Sequence, residues 1–320
     1  MPVSRTPSNP LPTSGAAPLA SGAASYWAYS HSVESAWLEH GPFASWIVSA
    51  VRPSILAELG THNGFSYFAF CEAVQRLGLN TKCYAVDTWV GDDHAGFYSE
   101  DVYTLVNRVN TENYASFSTL LRGYFDDHVN SFDDGTIDLL HIDGRHGYED
   151  VKHDFESWLP KMSSRGVVMF HDIAVLDRGF GVWKFWEEIS SSHPSFHFEH
   201  GYGLGVLAVG SEIPESLIPL VNASPEEADA VRAFYAERGA LVKQTYQDGV
   251  DRHRDGIELA MARPALVDMA AELDHIKNSL AWKSTRPLRW VFGLIPLSVR
   301  RGIRPAPEEP ATLPANDTRE

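Results

Sequence analysis

Short apolar runs alternate with amphipathic helical stretches through the middle of the chain. The apolar runs predict strands over 55–59, 83–87, 117–123, 135–143 and 166–172. Two further strands, over 196–199 and 204–209, are joined by a glycine-containing turn that predicts a hairpin. Because strands that alternate with helices form mostly parallel sheets covered on both faces, the pattern predicts a doubly wound α/β fold whose last strand is antiparallel.

The two ends of the chain depart from this alternation. Residues 1–24 and 305–320 carry few large apolar side chains, so we expect both to be disordered tails. The strands and the helices between them predict one domain over 25–212. A C-terminal helical extension over 213–283 and a basic amphipathic segment over 284–304 complete the predicted organisation.

The helical extension carries a regular apolar pattern near its end. Apolar residues fall alternately three and four apart at Leu266, Met269, Leu273, Ile276 and Leu280. This spacing is a heptad seam of about two repeats, which is short for a coiled coil. A helix that packs its apolar stripe on its own domain explains the pattern equally well.

The charge of the chain is strongly acidic except in one stretch. A net charge of −16 argues against a nucleic-acid partner, which requires a basic surface. Residues 277–304, in contrast, hold seven Lys or Arg among aromatic and aliphatic residues and no Asp or Glu. Such a stretch suits peripheral binding to an anionic membrane. The alternative is that it docks on the acidic body, and the sequence favours neither.

Cysteine content and hydropathy indicate a cytoplasmic protein. Cys71 and Cys83 form no disulfide framework and suit a reducing compartment. The N-terminus lacks the charged-then-apolar layout of a signal peptide, and no apolar run reaches the length of a transmembrane helix. Under the membrane hypothesis, 277–304 would lie at the inner face of the membrane.

A glycine turn follows the first predicted strand. Gly60 and Gly64 would let the backbone approach a ligand where a Cβ would collide, and the next helix offers free N–H groups at its start. Asp87 follows at about the spacing at which a βαβ nucleotide site places a carboxylate on ribose hydroxyls. An ordinary βαβ turn with a surface Asp would leave the same pattern.

Acidic residues stand at the ends of three predicted strands. Asp87, Asp143 and Asp172 each follow a buried apolar run. In open α/β sheets, ligands bind beyond the carboxyl ends of the parallel strands. The three carboxylates are therefore expected to meet at one edge of the sheet, around a single pocket.

Several motifs together resemble a known family. Glu58-Leu-Gly-Thr-His-Asn-Gly64-Phe-Ser66 resembles motif I of class I S-adenosylmethionine-dependent methyltransferases, whose fold is Rossmann-like. The segment over 139–160, followed by Gly166-Val-Val-Met-Phe-His-Asp172, is similar to macrocin and rhamnosyl O-methyltransferases and to cephalosporin-hydroxylase-type proteins. The resemblance covers about 30–210 and rests on the order of its motifs.

The resemblance implies a cofactor site. Asp87 would hold the ribose of S-adenosylmethionine, and Tyr124 or Phe125 would flank its adenine. The remaining residues implied to bind the cofactor lie at the glycine turn and at the end of the fourth strand, and they are Glu58, Gly60, Thr61, Gly64, Ser66 and Asp143. The turn departs from the Gly-x-Gly-x-x-Gly fingerprint of dinucleotide sites, which weakens a nicotinamide interpretation without removing it.

The resemblance also implies the catalytic groups. A sugar hydroxyl must lose its proton as it attacks, and His146 is the candidate base, with Asp143 and Asp172 beside it. A histidine with a packing role would leave the same pattern. Relatives that bind a divalent cation use strand-end acids, which makes Asp143, Asp172 and His171 the candidate Mg²⁺ ligands. His171 stands where those relatives carry a carboxylate, and Mg²⁺ prefers oxygen ligands.

The functional hypothesis is O-methylation of a sugar hydroxyl in a surface glycan or a glycosylated metabolite. The segment over 279–289 is similar to C-terminal segments of bacterial enzymes of surface-polysaccharide assembly, which favours a saccharide acceptor. Two alternatives remain open at this point. One is a non-catalytic glycan- or nucleotide-binding subunit of a polysaccharide assembly complex, and the other is an NAD-dependent oxidoreductase. A homo-oligomer is compatible with all three hypotheses.

Overall fold

The computed structural model describes residues 18–92 and 96–285. Within them, seven strands form one sheet. In chain order they are β1 (Ile55–Leu59), β2 (Lys82–Asp87), β3 (Ser118–Arg122), β4 (Ile137–Ile142), β5 (Met162–His171), β6 (Ser195–Phe198) and β7 (Leu204–Ala208). A separate antiparallel pair joins Gly91–Asp92 to Gly96–Phe97.

The strand order across the sheet is β3-β2-β1-β4-β5-β7-β6. Strands β1 to β5 are parallel to one another, while β7 runs antiparallel to β5 and to β6. The order reverses between β1 and β4, so the carboxyl ends of these two neighbouring strands open a crevice. The predicted fold class, mostly parallel with an antiparallel end, is confirmed.

Helices connect the strands and cover the sheet. They are α1 (Gly41–Val51), α2 (Phe65–Arg76), α3 (Glu100–Asn113), α4 (Phe125–His128), α5 (Tyr148–Trp158), α6 (Val182–Ser190), α7 (Ile218–Val221), α8 (Pro225–Asn278) and α9 (Leu280–Ser284). Short 3-10 turns occupy Ala23–Tyr26, Ala36–His40, Val129–Ser131 and Leu159–Lys161.

The two faces of the sheet carry separate apolar clusters. Leu139 and Met169 belong to the cluster that includes α1 and α2, whereas Leu140 and Phe170 belong to the cluster that includes α5 and α6. Successive strand residues point to opposite faces, so strands buried on both sides carry mostly apolar residues. This explains why the central strands appear in the sequence as largely apolar runs.

The start of α8, which follows the predicted domain boundary at 212, packs into the same apolar cluster as α1. Val231 and Tyr235 are fully buried in the same cluster as α1. The Tyr235 hydroxyl donates to the carbonyl of Ala20 at 2.7 Å and lies 3.0 Å from the Ser25 hydroxyl. The predicted disordered tail is therefore wrong for 18–24, because Ala24 is buried and Ala20 is held by a hydrogen bond.

The chain divides into two compact units, 1–250 and 251–320. In the part of the chain that the structure describes, no helix combines the length and the apolar character that crossing a membrane requires. Residues 1–17 of the predicted N-terminal tail, 286–304 of the predicted basic segment and the tail over 305–320 lie outside the described residues.

Candidate active site

A cavity of ≈ 780 Å³ opens beyond the carboxyl ends of the parallel strands. Asp87, Asp143 and Asp172 all line it, so the predicted meeting of the three strand-end acids is confirmed. Its wall also includes other residues singled out from the sequence, namely Gly60, Thr61, His62, Ser66, Tyr124, Phe125, His146 and His171. Glu58 and Gly64 are not part of the wall.

Gly60 is required by a close approach between two strand ends. Its φ is +87°, and a Cβ at this position would overlap the backbone carbonyl of Asp143. The backbone N–H of Asp143 in turn donates to the carbonyl of Leu59 at 2.8 Å. Any L side chain at Gly60 would therefore push β1 and β4 apart at the mouth of the cavity.

The Asp87 carboxylate braces the glycine turn. Its Oδ2 accepts hydrogen bonds from the backbone N–H groups of Thr61 at 2.7 Å and His62 at 2.9 Å, and its Oδ1 accepts one from Trp89 at 2.7 Å. Each carboxylate oxygen has two acceptor sites, so these bonds leave capacity for a ligand hydroxyl. Asp87 thus fixes the shape of the turn and also faces the cavity.

The cavity wall around Gly144 is aromatic and acidic. Tyr124 is largely exposed, and the Phe125 ring lies so close to Gly144 that a Cβ there would overlap it. Asp154 lines the same region and is buried. Burial and the neighbouring acids raise the pKa of Asp154 to about 7, although the charge of His153 opposes the shift. The Phe125 ring thus offers a flat apolar surface, and the Asp154 carboxyl group beside it can be protonated near neutral pH.

His146 and Asp172 form a hydrogen-bonded pair on the cavity wall. The His146 Nε2 atom lies 2.9 Å from Asp172 Oδ2, and the imidazole stacks on Phe180 at 4.3 Å with an interplanar angle of 9°. Burial alone lowers the pKa of His146, but the hydrogen bond to Asp172 and the charge of Asp143 outweigh it and raise the pKa. The Nδ1 atom of His146 is buried, so Nε2 is the nitrogen that can meet a ligand.

His171 is doubly protonated in this arrangement. Its Nε2 lies 3.0 Å from the carbonyl of Gly201, which can only accept, while its Nδ1 lies 3.2 Å from Asp143 Oδ1. Burial lowers the pKa of His171, yet the charges of Asp143 and Asp172 raise it well above its ordinary value. An imidazolium has no lone pair to offer a metal ion, and the group of metal-type donors that the described residues bring together holds His146 in place of His171.

The remaining metal-type donors are two carboxylates and one imidazole. Asp143, His146 and Asp172 can each offer an atom, and these atoms lie within 4.8 Å of one another. Mg²⁺ favours an octahedral shell of oxygens, whereas this set contains a nitrogen and two carboxylates that already bind histidines. The residues present do not fit a magnesium ion.

Glu58 lies in the core and not at the cofactor wall implied for it. It is fully buried, and its Oε2 lies 2.8 Å from Nδ1 of the equally buried His141. Trp37 donates its indole N–H to His141 Nε2 at 3.1 Å, so Nδ1 is the ring nitrogen that donates to Glu58. Burial raises the pKa of Glu58, an effect that this hydrogen bond only partly offsets.

Gly64 has a structural role that needs no ligand. It precedes α2 with φ at +84°, and a Cβ there would approach the Phe68 ring. Only the other glycine of the pair faces the cavity.

Several wall residues were not predicted from the sequence. Asp154, Trp37, Phe180 and Tyr202 line the cavity from four different segments. Only Asp154 left a sequence signal, because it falls on the same helical face as the buried residues of α5. The other three come from loops or a 3-10 turn, whose position depends on tertiary packing.

Residues 57–173 match the sequence model of a family described as a methyltransferase domain. The chain is also 45% identical over 258 residues to y4gI, an uncharacterized protein of Sinorhizobium fredii. That alignment covers 80% of this chain but 28% of the relative. The chain therefore spans less than a third of the length of this relative.

Solved O-methyltransferases have a similar fold at low identity. TomG of Streptomyces achromogenes, which takes part in tomaymycin synthesis and was solved with S-adenosylmethionine, is 15% identical with a TM-score of 0.42, covering 56% of this chain and 92% of that chain. An O-methyltransferase of Bacillus cereus, solved with S-adenosylhomocysteine, is 15% identical with a TM-score of 0.42, covering 56% and 83%. Matches this distant carry no inference about what the chain binds.

Proposed function

We propose that the methyltransferase domain over 57–173 uses S-adenosylmethionine to methylate a hydroxyl group of a saccharide. The observation that carries the proposal is the His146–Asp172 pair, which lines the same cavity as the glycine turn and Asp87. A donor site and a proton acceptor thereby share one space, as methyl transfer to a hydroxyl requires.

The residues of the cavity fit an adenosyl cofactor. Asp87 offers free acceptor capacity at Oδ1 for one ribose hydroxyl, and Phe125 offers an apolar face for a purine. Asp154 lies beside that face, where a protonated carboxyl could pair with the edge of adenine. Thr61 and Ser66 supply further polar groups of the wall, at and just after the glycine turn. A volume of ≈ 780 Å³ lies within the usual range for small-molecule sites, so donor and acceptor can share it.

When bound, S-adenosylmethionine supplies a methyl group on a sulfonium, and in-line attack by the acceptor oxygen leaves a neutral thioether. The chain supplies position and takes up the proton. In the neutral tautomer that carries its proton on Nδ1, Nε2 of His146 has the lone pair, and it can take the proton of an acceptor hydroxyl that replaces Asp172 at this atom. Nε2 then donates this proton in a hydrogen bond to Asp172, which stabilises the imidazolium. The acceptor hydroxyl must displace Asp172 from Nε2, so binding of the acceptor is itself what frees His146 to act as the base.

The charges of the cavity favour an uncharged acceptor. Among the described residues, its wall includes seven carboxylates (Asp87, Asp126, Asp143, Glu149, Asp150, Asp154 and Asp172) but only two guanidinium groups (Arg145 and Arg178). A phosphorylated or carboxylated acceptor would meet repulsion there. Tyr98 stacks on His62 at 4.4 Å, and Tyr202 is half exposed, so both can contact the apolar face of a sugar ring.

Isothermal titration calorimetry tests the donor site against the two alternatives. We expect S-adenosylmethionine and S-adenosylhomocysteine to bind, and Asp87→Ala to weaken both by at least about tenfold, because the turn loses its brace. Binding of NAD in place of both would support an oxidoreductase. Binding of a glycan without either cofactor would support the non-catalytic subunit and overturn the proposal.

A methyl-transfer assay with a panel of neutral oligosaccharides tests the acceptor class. The expected product gains one methyl group on oxygen. After permethylation with deuterated iodomethane, mass spectrometry locates this group as the one position that carries an unlabelled methyl. His146→Ala should lower kcat with an acceptor by about 10²-fold or more while leaving cofactor binding intact. Unchanged turnover in this variant would remove His146 as the base but would leave the donor site standing.

A further inference from the structure

An apolar seam lies exposed on the second half of α8. Leu259, Leu266, Met269, Leu273 and Ile276 are 42–67% exposed. A leucine recurs every seven residues, at 259, 266 and 273. Three residues after each leucine stands another apolar residue, which is Ala262, Met269 or Ile276. In heptad terms the leucines occupy a positions and the intervening residues occupy d positions, which is the pattern of helices that pair side by side.

The charges that flank the seam are segregated by sign. Arg263 and Lys277 occupy e positions, while Glu258 and Glu272 occupy g positions. All four side chains are exposed. In a parallel pair of helices, each g residue faces the e residue five positions later on the partner, which matches Glu258 with Arg263 and Glu272 with Lys277. In an antiparallel pair, g meets g and e meets e, so like charges would repel.

The seam is also unsuited to an anionic membrane. Between Glu258 and Ile276 there is one basic side chain, Arg263, against four acidic ones (Glu258, Asp268, Glu272 and Asp274). Anionic lipids attract basic segments and repel acidic ones. The apolar stripe therefore needs a partner that is apolar at its centre and carries both charges at its edges, and the same segment of another chain provides both.

We infer that residues 258–277 form a parallel, in-register, two-stranded coiled coil with the same segment of a second copy of this chain. The a and d side chains form the core, and the four flanking charges form interchain pairs. Pro264 falls at the outward f position, so its ring points away from the partner, while the hydrogen bond that its missing N–H would make to the carbonyl of Ala260 is lost within the helix itself. Two strands are expected because the charged e and g positions stay at the solvent rim of a dimer, whereas a wider bundle would bury them.

The seam spans fewer than three heptads, so the association is expected to depend on concentration. Sedimentation of the full chain over a hundredfold range of concentration should show a shift from the 35.5 kDa monomer to twice that mass. A single mass of 35.5 kDa at every concentration would overturn the inference, and a stable tetramer would overturn the two-strand assignment.

Two variants with the same number of added charges locate the interface. Leu266→Asp with Leu273→Asp places carboxylates in the core and should abolish the dimer. Met261→Asp with Val267→Asp makes the same change at c and b positions, which are 70% and 60% exposed but lie off the seam. This control should still dimerise. Equal loss in both variants would indicate a general effect of charge on the helix, which circular dichroism would report as lost helicity.

Cross-linking tests the orientation. Cys71 and Cys83 are buried, so a cysteine introduced at the surface is the one that reacts. Leu259→Cys lies at one end of the seam and should be joined to its counterpart by a short bis-maleimide only if the helices are parallel. Met261→Cys, which points outward, is the matched control. Failure of Leu259→Cys to cross-link in a sample that sediments as a dimer would overturn the parallel arrangement.

A charge exchange tests the specificity of the pairing. Glu258→Lys with Glu272→Lys makes both flanks basic, and Arg263→Glu with Lys277→Glu makes both acidic. Each variant alone should stay monomeric at concentrations where the wild type dimerises, while an equimolar mixture should form the heterodimer. Absence of recovery in the mixture would contradict interchain pairing at these positions.

Discussion

Two neighbouring histidines of the site carry protons for different reasons. His171 is held between a carbonyl and a carboxylate that both accept, so its charge is structural. His146 has Asp172 on Nε2 and Phe180 on its ring face, so it can gain or lose a proton at the cavity wall. The chemistry assigned to a histidine here depends on its partners, because the residue type is the same in both places.

The pH dependence of turnover should report His146. The base acts when it is neutral, and its pKa is raised, so kcat/KM should fall as the pH drops through a value above the ordinary 6.5. Asp172→Asn removes the charge that favours the protonated form and should move this acid limb to lower pH. Initial rates at saturating cofactor measure the limb. If the acid limb of kcat/KM lies at the same pH in Asp172→Asn as in the wild type, the assignment of this limb to His146 is contradicted.

Removal of divalent cations should leave turnover nearly unchanged. The two carboxylates that a cation would need are already charge-balanced by His146 and His171, and the donor set suits Mg²⁺ poorly. The test is the rate after dialysis against EDTA, with and without added MgCl₂. Loss of activity that MgCl₂ restores would show that a metal acts at this site.

Gly60→Ala should destabilise the chain more than an alanine at an equally left-handed glycine elsewhere. At Gly60 the Cβ would overlap the Asp143 backbone, whereas Gly78 has φ at +61° and open space around it. We expect a loss of about 2–4 kcal/mol for Gly60→Ala and about 1 kcal/mol for Gly78→Ala. Urea unfolding measures both free energies. Equal losses would mean that the close approach of the strand ends carries no cost.

At the scale of the element, α8 has two parts with different roles. Its first turns belong to the body, since Ala228, Val231 and Tyr235 are buried against the cluster that contains α1. Its later part, which belongs to the second compact unit, carries the exposed seam. One continuous helix thus supplies both a core face and an interaction face, at different points along its length.

Truncation should separate these two parts of α8. A chain that ends at Val250 keeps the buried residues and should melt close to the full-length body. A chain that ends at Glu212 exposes the surface of the body that these α8 residues cover. Its free energy of unfolding should fall by at least about 3 kcal/mol, because burial of each large apolar side chain contributes about 1.5–3 kcal/mol. Thermal melting followed by circular dichroism compares them. Equal melting temperatures would support the domain boundary predicted from sequence.

At the scale of the whole molecule, charge is distributed unevenly. The chain carries a net −16, yet five of the seven basic residues of 277–304 follow Thr285. We propose that this segment gives the chain a peripheral affinity for anionic membranes, in accord with the hypothesis drawn from its sequence. The exposed seam that precedes it is acidic, and the partner that we infer for the seam is a second copy of this chain.

Vesicle binding should therefore depend on the residues after Thr285. A chain that ends at Thr285 keeps the seam and should lose most of its binding to vesicles of phosphatidylserine at low salt, whereas neutral vesicles should bind neither form. Co-sedimentation measures the bound fraction. If both chains bind the anionic vesicles equally, the basic segment docks on the chain itself or serves another partner.

The sequence predicted the parts of the fold and site that follow from local pattern. Parallel strands that are buried on both faces carry mostly apolar residues, so β1, β2, β4 and β5 appear as largely apolar runs. The carboxyl ends of such strands share one edge, so the acids that follow them had to be neighbours. The wall residues contributed by loops had no such constraint, and neither Phe180 nor Tyr202 could be assigned in advance.

What the sequence determined by itself was the order of strands and helices, the placement of three carboxylates at one sheet edge and the heptad spacing of the seam, because each is a matter of periodicity along the chain. Tertiary structure alone decided which partner each polar group meets. It buried Glu58 against His141, protonated His171 between Gly201 and Asp143, and left Nε2 of His146 beside Asp172. Charge state and reactivity follow from those contacts, which join residues far apart in the chain.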